Sequence, residues 1–386
     1  MPNRVDLDAN ASTRPDVRVI EAMTNALSEV WGNPSSDHIL GKDADHAVTK
    51  ARHAVAELIG AHEQEILFTS GATEAINLAI QGSVRAHASS LPHVITSSVE
   101  HAAVLETVAY LQRSKQIKLT LLKPDRFGRT HPDQVKKALR KDTILVCLIH
   151  GNNEIGTLNP LQDIGSTLRD HPARLFVDAA QTMGYCPPNV QACGIDMMSV
   201  SAHKMHGPKG IGALYVKGLK SLHVHPQTLM EPILFGGGQE WGYRSGTLNV
   251  SSIVGLGVTA EIAKNEHSAR SIYVTKLRQR FLNYLQESIP DIQLNGDPIE
   301  RLPSNLSLTI APVAAKRLQS RLSDFAFSRG SACASGSTQP SHVLKAIGLS
   351  NDAIACTIRI GLSSMNTESE VDRAAKDMVT VIKRLS

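Results

Sequence analysis

From about residue 45 to residue 260, short apolar runs alternate with stretches whose apolar residues recur at helical spacing. EILFTSG, HVITSSVEH, IKLTLLKP, TILVCLIHGNN, RLFVDAAQ, MMSVSAHK and GALYVKG are rich in β-branched residues, and each closes on polar or glycine-rich positions. The spacing predicts strands there and helices over 73–88, 101–114, 132–140 and 160–169. Strands alternating with helices imply a mostly parallel central sheet with helices on both faces. In such sheets ligands gather at the carboxyl ends of the strands. The polar residues that end these runs are therefore the candidate site.

After about residue 255 the pattern changes. A long helical segment over 255–289 leads into IQLNGDPIERLPSNLSLTI, which reads as strand and turns. The small-residue segment SRGSACASGSTQP follows, then IRIGLS and a final amphipathic helix. This reads as a smaller α+β domain to which the first dozen residues contribute. The expected division is 15–255 for the large domain, with 1–14 and 256–386 forming the small one.

Composition narrows the class. With 386 residues, 42% hydrophobic and 20% charged, the chain can bury a sizeable core. A net charge of +4 without a polybasic tract gives no reason to expect direct nucleic-acid binding. No apolar run is long enough to span a bilayer, and MPNRVDLDANAST lacks the apolar stretch of a signal peptide. The five cysteines are odd in number and form no CxxC pair, which argues against a disulfide framework or a metal site. A reducing cytoplasm is the expected location. Cys147, inside TILVCLIH, reads as a core residue.

The strand ends carry the chemistry. SGATEAINLAI places Ala72 and Thr73 at a strand–helix junction, either a phosphate-binding helix N-terminus or a helix capped by Thr73. Lys204 in SAHKMHGPKGIG follows a strand directly, beside Ser201 and His203; it is a Schiff-base candidate or a solvated surface lysine. Asp178 ends FVDAAQ, where a carboxylate either pairs with a cation such as a protonated pyridine or caps a turn. His101 could stack on a planar ring or move protons, or simply stand at a helix N-terminus with no chemical role. Asn152 and Asn153 offer amides at another strand end, either to donate to a ring hydroxyl or simply to build a turn. Cys333 sits among small residues between Ser328 and Pro340, a segment that is either a flexible surface loop with an incidental cysteine or one that carries a functional thiol over ten or more Å when extended. Arg329 is placed to lower that thiol's pKa.

The order of these motifs closely resembles the cysteine desulfurases of the NifS/IscS type, class V aminotransferase-like members of the fold-type I pyridoxal-phosphate enzymes. The resemblance runs through GNPSS-x-H (32–38), FTSGATEAINLAI, EHAAVLE, HGNNEIG, VDAAQ, SAHKMHGPKGIGALYV, RSGTLN (244–249), SRGSACASG and TIRIGLS (357–363). The cysteine segment is similar to that of the long-loop group. The resemblance implies pyridoxal 5'-phosphate (PLP) on Lys204, with Asp178 at its ring nitrogen. Asn153 and Gln181 would meet the ring hydroxyl, His101 the ring face, and Ala72, Thr73, Ser201 and His203 the phosphate. Thr247 would reach the phosphate of a second subunit, implying a homodimer with shared sites. Asn33 and Arg359 would bind the carboxylate of L-cysteine, and Cys333 would take its sulfur as a persulfide, leaving alanine.

A sulfur-acceptor protein is then an implied partner. Iron–sulfur cluster assembly, tRNA thiolation and DNA phosphorothioation are all compatible destinations. Ser12 stands where the family commonly has threonine, and the arginine that often follows the substrate-binding one is absent. The chain ends soon after its last helix, whereas IscS-like proteins usually continue into a segment that docks the iron–sulfur scaffold. A selenocysteine lyase or a small-substrate aminotransferase is the nearest alternative activity. A non-catalytic sulfur-relay protein is the alternative of another class.

Overall fold

The computed structural model describes residues 4–87, 91–219, 230–330 and 340–385. Cys333 lies outside the described residues.

Along the chain, β1 (Val5–Asp6), α1 (Val17–Glu29) and α2 (Ile39–Ile59) precede β2 (Ile66–Thr69) and α3 (Ala72–Arg85). Next come β3 (His93–Ser97), α4 (Ala102–Arg113), β4 (Lys118–Leu122), α5 (Pro132–Ala138), β5 (Thr143–Ile149) and α6 (Leu161–Leu168). The strands β6 (Arg174–Asp178), β7 (Met197–Ser201) and β8 (Gly212–Val216) complete a seven-stranded sheet. Its order is β2-β8-β7-β6-β5-β3-β4, parallel from β7 across to β4, with β8 antiparallel to both of its neighbours. The strand GALYV is thus the one that breaks the parallel rule.

Side-chain alternation explains how the sheet buries both faces. In β5, Val146 and Leu148 join a core with α2, α6 and the start of a later helix. Leu145 and Cys147 point the other way, into a core with α3 and α4. Cys147 is fully buried and burial pushes its thiol pKa well up, as befits a core residue.

The long helix α7 (Val250–Ser288) ties the two parts of the chain together. Val250, Ile253, Leu256 and Ala260 pack in the core of the large sheet. Val274, Leu277, Phe281 and Leu285, further along, pack in a second core. Gly257 lets α7 approach α2 closely, since a Cβ there would lie 2.6 Å from Ala51 Cα.

The second core is built by β9 (Gln293–Asn295), β10 (Asn305–Thr309), α8 (Ala315–Arg321), β11 (Phe325–Ala326) and β12 (Ser328–Arg329). The short helices α9 (His342–Ala346) and α10 (Asn351–Ala355) lead to β13 (Thr357–Gly361) and α11 (Glu368–Leu385). A four-stranded antiparallel sheet runs β12-β13-β10-β9, and β1 pairs with β11 alongside. The chain's first strand is therefore fastened to its last third.

Candidate active site

The carboxyl edge of the large sheet opens into a cavity of about 700 Å³. Ten of the expected residues line it: Ala72, Thr73, His101, Asn153, Asp178, Gln181, Ser201, His203, Lys204 and Arg359. Nine come from strand ends of the large sheet or from the turns and helix starts that follow them, and Arg359 comes from the middle of β13 in the second sheet, so residues 287 positions apart in sequence (72 to 359) meet. Asn33 and Thr247 do not line it. Asn33 is exposed, and its Oδ1 accepts from Ser35 N within its own turn. Thr247 is exposed on a separate loop.

The α3 end of the cavity begins at Gly71, whose φ of +152° and ψ of −178° belong to glycine's own region of backbone space. Gly71 rather than Thr73 caps the helix, so the Thr73 hydroxyl is not spent on capping. Gly71 also lies where a side chain on Gly212 of β8 would collide, 2.7 Å from its Cα. This close approach brings the helix N-terminus to the sheet edge. Glu74 in the first turn accepts from Ser70 N at 2.8 Å and from Arg244 Nε at 2.8 Å, which braces the turn.

Asp178 is buried at the end of β6. Ser199 Oγ and Ala180 N both donate to its Oδ1 at 3.0 Å, leaving Oδ2 for a cation in the cavity. Lys204 follows β7 on a short 3₁₀ turn, and its Nζ donates to the carbonyls of Asn10 (2.6 Å) and Ala11 (2.9 Å). His203 beside it has its pKa lowered to about 4, first by burial and then by Lys204 and Lys209. Its ring Nδ1 lies 3.2 Å from Ser12 Oγ. His101 caps α4: its Nδ1 accepts from Ala103 N at 3.1 Å, which puts the ring proton on Nε2.

The two asparagines separate cleanly. Asn152 is fully buried and spent on its turn, donating to Val99 O and accepting from Glu154 N and Ile155 N. Asn153 lines the cavity, while its carbonyl accepts from Arg359 Nη1 at 3.1 Å. Arg359 is buried in β13 and also pairs with Asp8 Oδ1 at 3.0 Å.

Sequence reasoning missed the part played by residues 8–13. This segment crosses the cavity: Asp8 meets Arg359, Asn10 exchanges hydrogen bonds with Gln181, and Thr13 Oγ1 donates to His203 O. The available signal was the alternation Val5, Leu7, Ala9 (all buried), which puts Asp8 and Asn10 on the opposite side from the core. Ser328 and Glu100 were also missed. Ser328 lines the cavity at the start of the cysteine-bearing segment. Glu100 is fully buried beneath His101, and burial raises its pKa well above the ordinary carboxylate value.

The donor set fits a planar, phosphorylated pyridine. An anion finds a helix N-terminus, an uncommitted hydroxyl at Thr73, and Ser201 with His203. A ring cation finds Asp178 Oδ2, and an aldehyde finds the Lys204 amine. The family model for class V aminotransferases matches residues 5–374. The chain belongs to this family. A cysteine desulfurase IscS from Anaeromyxobacter dehalogenans (strain 2CP-C) is 42% identical over 380 residues, covering 98% of this chain and 92% of that relative. Among solved structures, a NifS-like protein superposes with a TM-score of 0.90 at 35% identity, covering 99% of this chain and all of that one. A structure described as SspA in complex with cysteine gives a TM-score of 0.81 at 36% identity, covering 94% and 99%. Within the class V aminotransferases the chain falls among the cysteine desulfurases, and this family depends on PLP.

Proposed function

We propose that the chain binds PLP on Lys204 and removes sulfur from L-cysteine, releasing L-alanine and holding the sulfur as a persulfide on Cys333. The observation that carries this reading is the convergence of Lys204 Nζ, Asp178 and Arg359 on one cavity in a chain of this family. When bound, PLP supplies an electron sink for the pair left at the substrate Cα.

The chain's own residues supply the rest. Arg359, fixed by its hydrogen bond to Asn153 O, binds the substrate carboxylate. Asp178, through Oδ2, would hold the proton of the cofactor's ring nitrogen and so keep the ring electron-poor. Lys204 Nζ would hold the cofactor and would serve as the base for the substrate Cα proton. His101, with its proton on Nε2, covers the ring and relays protons. The Cys333 thiolate attacks the substrate sulfur, a sulfur–sulfur bond forms, and the carbon–sulfur pair stays with carbon, which is protonated to give alanine.

The described residues flanking Cys333 support its access. Ser328 lies in the cavity wall, and on the far side Ser341 Oγ donates to Glu154 Oε2 while His342 Nε2 bonds Glu100 O. Thr247, exposed and outside the lining of its own cavity, suits contact with the phosphate of a second copy, so the working unit is a homodimer. The carboxylate roles of Asn33 and Arg359 belong to the same proposal, although Asn33 stands off the cavity of a single chain. An acceptor protein takes the persulfide, and a reducing cytoplasm suits a chain whose described cysteines are free thiols. Among the described residues no helix is long and apolar enough to cross a membrane.

The test compares wild type, Lys204→Ala and Cys333→Ser after incubation with PLP. Lys204→Ala loses the visible absorption of lysine-bound cofactor. Cys333→Ser keeps it yet forms no alanine from cysteine. Equal sulfide and alanine production by Cys333→Ser would overturn the choice of thiol.

A further inference from the structure

The guanidinium of Arg359 already faces a carboxylate inside the cavity. Asp8 Oδ1 accepts from Arg359 Nη2 at 3.0 Å, and Asp8 Oδ2 accepts from Ser328 Oγ at 2.7 Å. Arg359 Nη2 also donates to Ser328 Oγ at 3.2 Å, which closes a triangle. Sheet register builds it: Ser328 lies opposite Arg359 in the β12–β13 pair, and Asp8 bridges Gly361 on the same strand. All three residues line the cavity. The nearby acid Glu154 is a poorer counter-ion, because burial raises its pKa and Ser341 holds its Oε2.

We propose that Asp8 is a specificity-determining residue, a resident counter-ion for Arg359 that competes with the carboxylate of the amino acid. This rests on the reading that Arg359 binds that carboxylate. An arriving carboxylate must share one guanidinium with Asp8. Two like charges within about 6 Å, even at an effective dielectric constant near 20, weaken binding by tenfold or more. Such weakening is useful here. Substrate and product carry the same amine and carboxylate, so a tight grip on that part would hold alanine in the site without speeding the chemistry. Asp8 keeps Arg359 charge-balanced when the site is empty and eases alanine out.

The experiment uses PLP-loaded protein and two probes, propionate and propionamide. Propionate carries the carboxylate but no amine, so it makes no bond to the cofactor. Asp8→Asn preserves shape and removes the charge. Calorimetric titration should show propionate binding about tenfold tighter to Asp8→Asn than to wild type, with propionamide unchanged. The gain should vanish in Asp8→Asn/Arg359→Gln, and L-alanine should become a stronger inhibitor of cysteine turnover in the single variant. Propionate affinity that is unchanged or weaker in Asp8→Asn would overturn the proposal. Asp8→Ser, also uncharged, serves the same titration if Asp8→Asn does not fold. Wild-type alanine formation from cysteine tests the desulfurase reading separately, so the two failures are distinguishable.

Discussion

Replacing Glu240 by glutamine tests how the loop before α7 is held. The Glu240 carboxylate is buried and accepts from Arg52 Nη1 (2.9 Å), Arg52 Nη2 (2.7 Å) and the Phe68 amide (2.7 Å). The Arg52 guanidinium also lies over two rings, 4.6 Å from Phe68 and 4.7 Å from Trp241. Glu240 and Trp241 both adopt positive φ, +48° and +54°, an unfavourable conformation for residues with side chains. The ion pair therefore offsets backbone strain as well as its own desolvation. Removing one partner of a buried pair costs about 3–5 kcal/mol, because the other charge stays buried. For a chain of this length the unfolding entropy is roughly 0.8 kcal/mol/K, so the melting temperature should fall by about 4–6 °C. Thermal unfolding of the two proteins, followed by circular dichroism at equal cofactor loading, measures this. Because Arg244 ties the same loop to Glu74 beside the cofactor cavity, and Thr247 is on it, cofactor retention should weaken too. A melting temperature within 1 °C of wild type would refute the idea that this pair secures the loop.

Three further outcomes are expected. Glu100→Gln should raise the melting temperature at pH 8, and the gain should shrink toward pH 5. The folded carboxyl, its pKa raised by burial, keeps a proton that the unfolded chain releases above about pH 4.5, so wild-type stability falls as pH rises through that window. A Glu100→Gln protein less stable than wild type at pH 8 would contradict this. His150→Asn should resist acid better than wild type. Burial lowers the His150 pKa from 6.5 to about 4, so the unfolded chain binds a proton first and stability drops as pH falls from 6.5 toward 4, by about 3 kcal/mol in all. The check is the loss of melting temperature between pH 7 and pH 4.5, which should be smaller in the variant. Lys204→Arg should keep the charge and the carbonyl contacts but abolish cofactor attachment, measured as loss of visible absorption.

Local pattern carried most of the sheet. The seven apolar runs are strands, and helices expected over 73–88, 101–114, 132–140 and 160–169 appear as α3 to α6 with ends shifted by a few residues. The shift at 72–73 has a physical source, since the glycine before the helix does the capping that one of the two readings gave to Thr73. The long helix starts at Val250 rather than about 255, because Asn249 caps it by accepting from Ser252 N. The orientation of β8 was not legible. A strand's composition says that it is buried, whereas its direction depends on the connection through 202–211 that turns the chain straight back beside β7. The site was legible wherever a polar residue ended an apolar run. It was not legible where a partner lies far off in sequence: nothing local to Asp8 announces an arginine 351 positions away, nor does Arg52 announce Glu240.

The placement of charge under the sheet edge follows from the same geometry. Three titratable groups sit at or beneath the ends of β3, β5 and β6, namely Glu100, His150 and Asp178. Burial shifts Glu100 and His150 toward their neutral forms. Asp178 differs in having two donors, Ser199 Oγ and Ala180 N, aimed at one oxygen. Those donors orient the carboxylate. They also satisfy only half of it, so the remaining oxygen gains most from a cation arriving in the cavity.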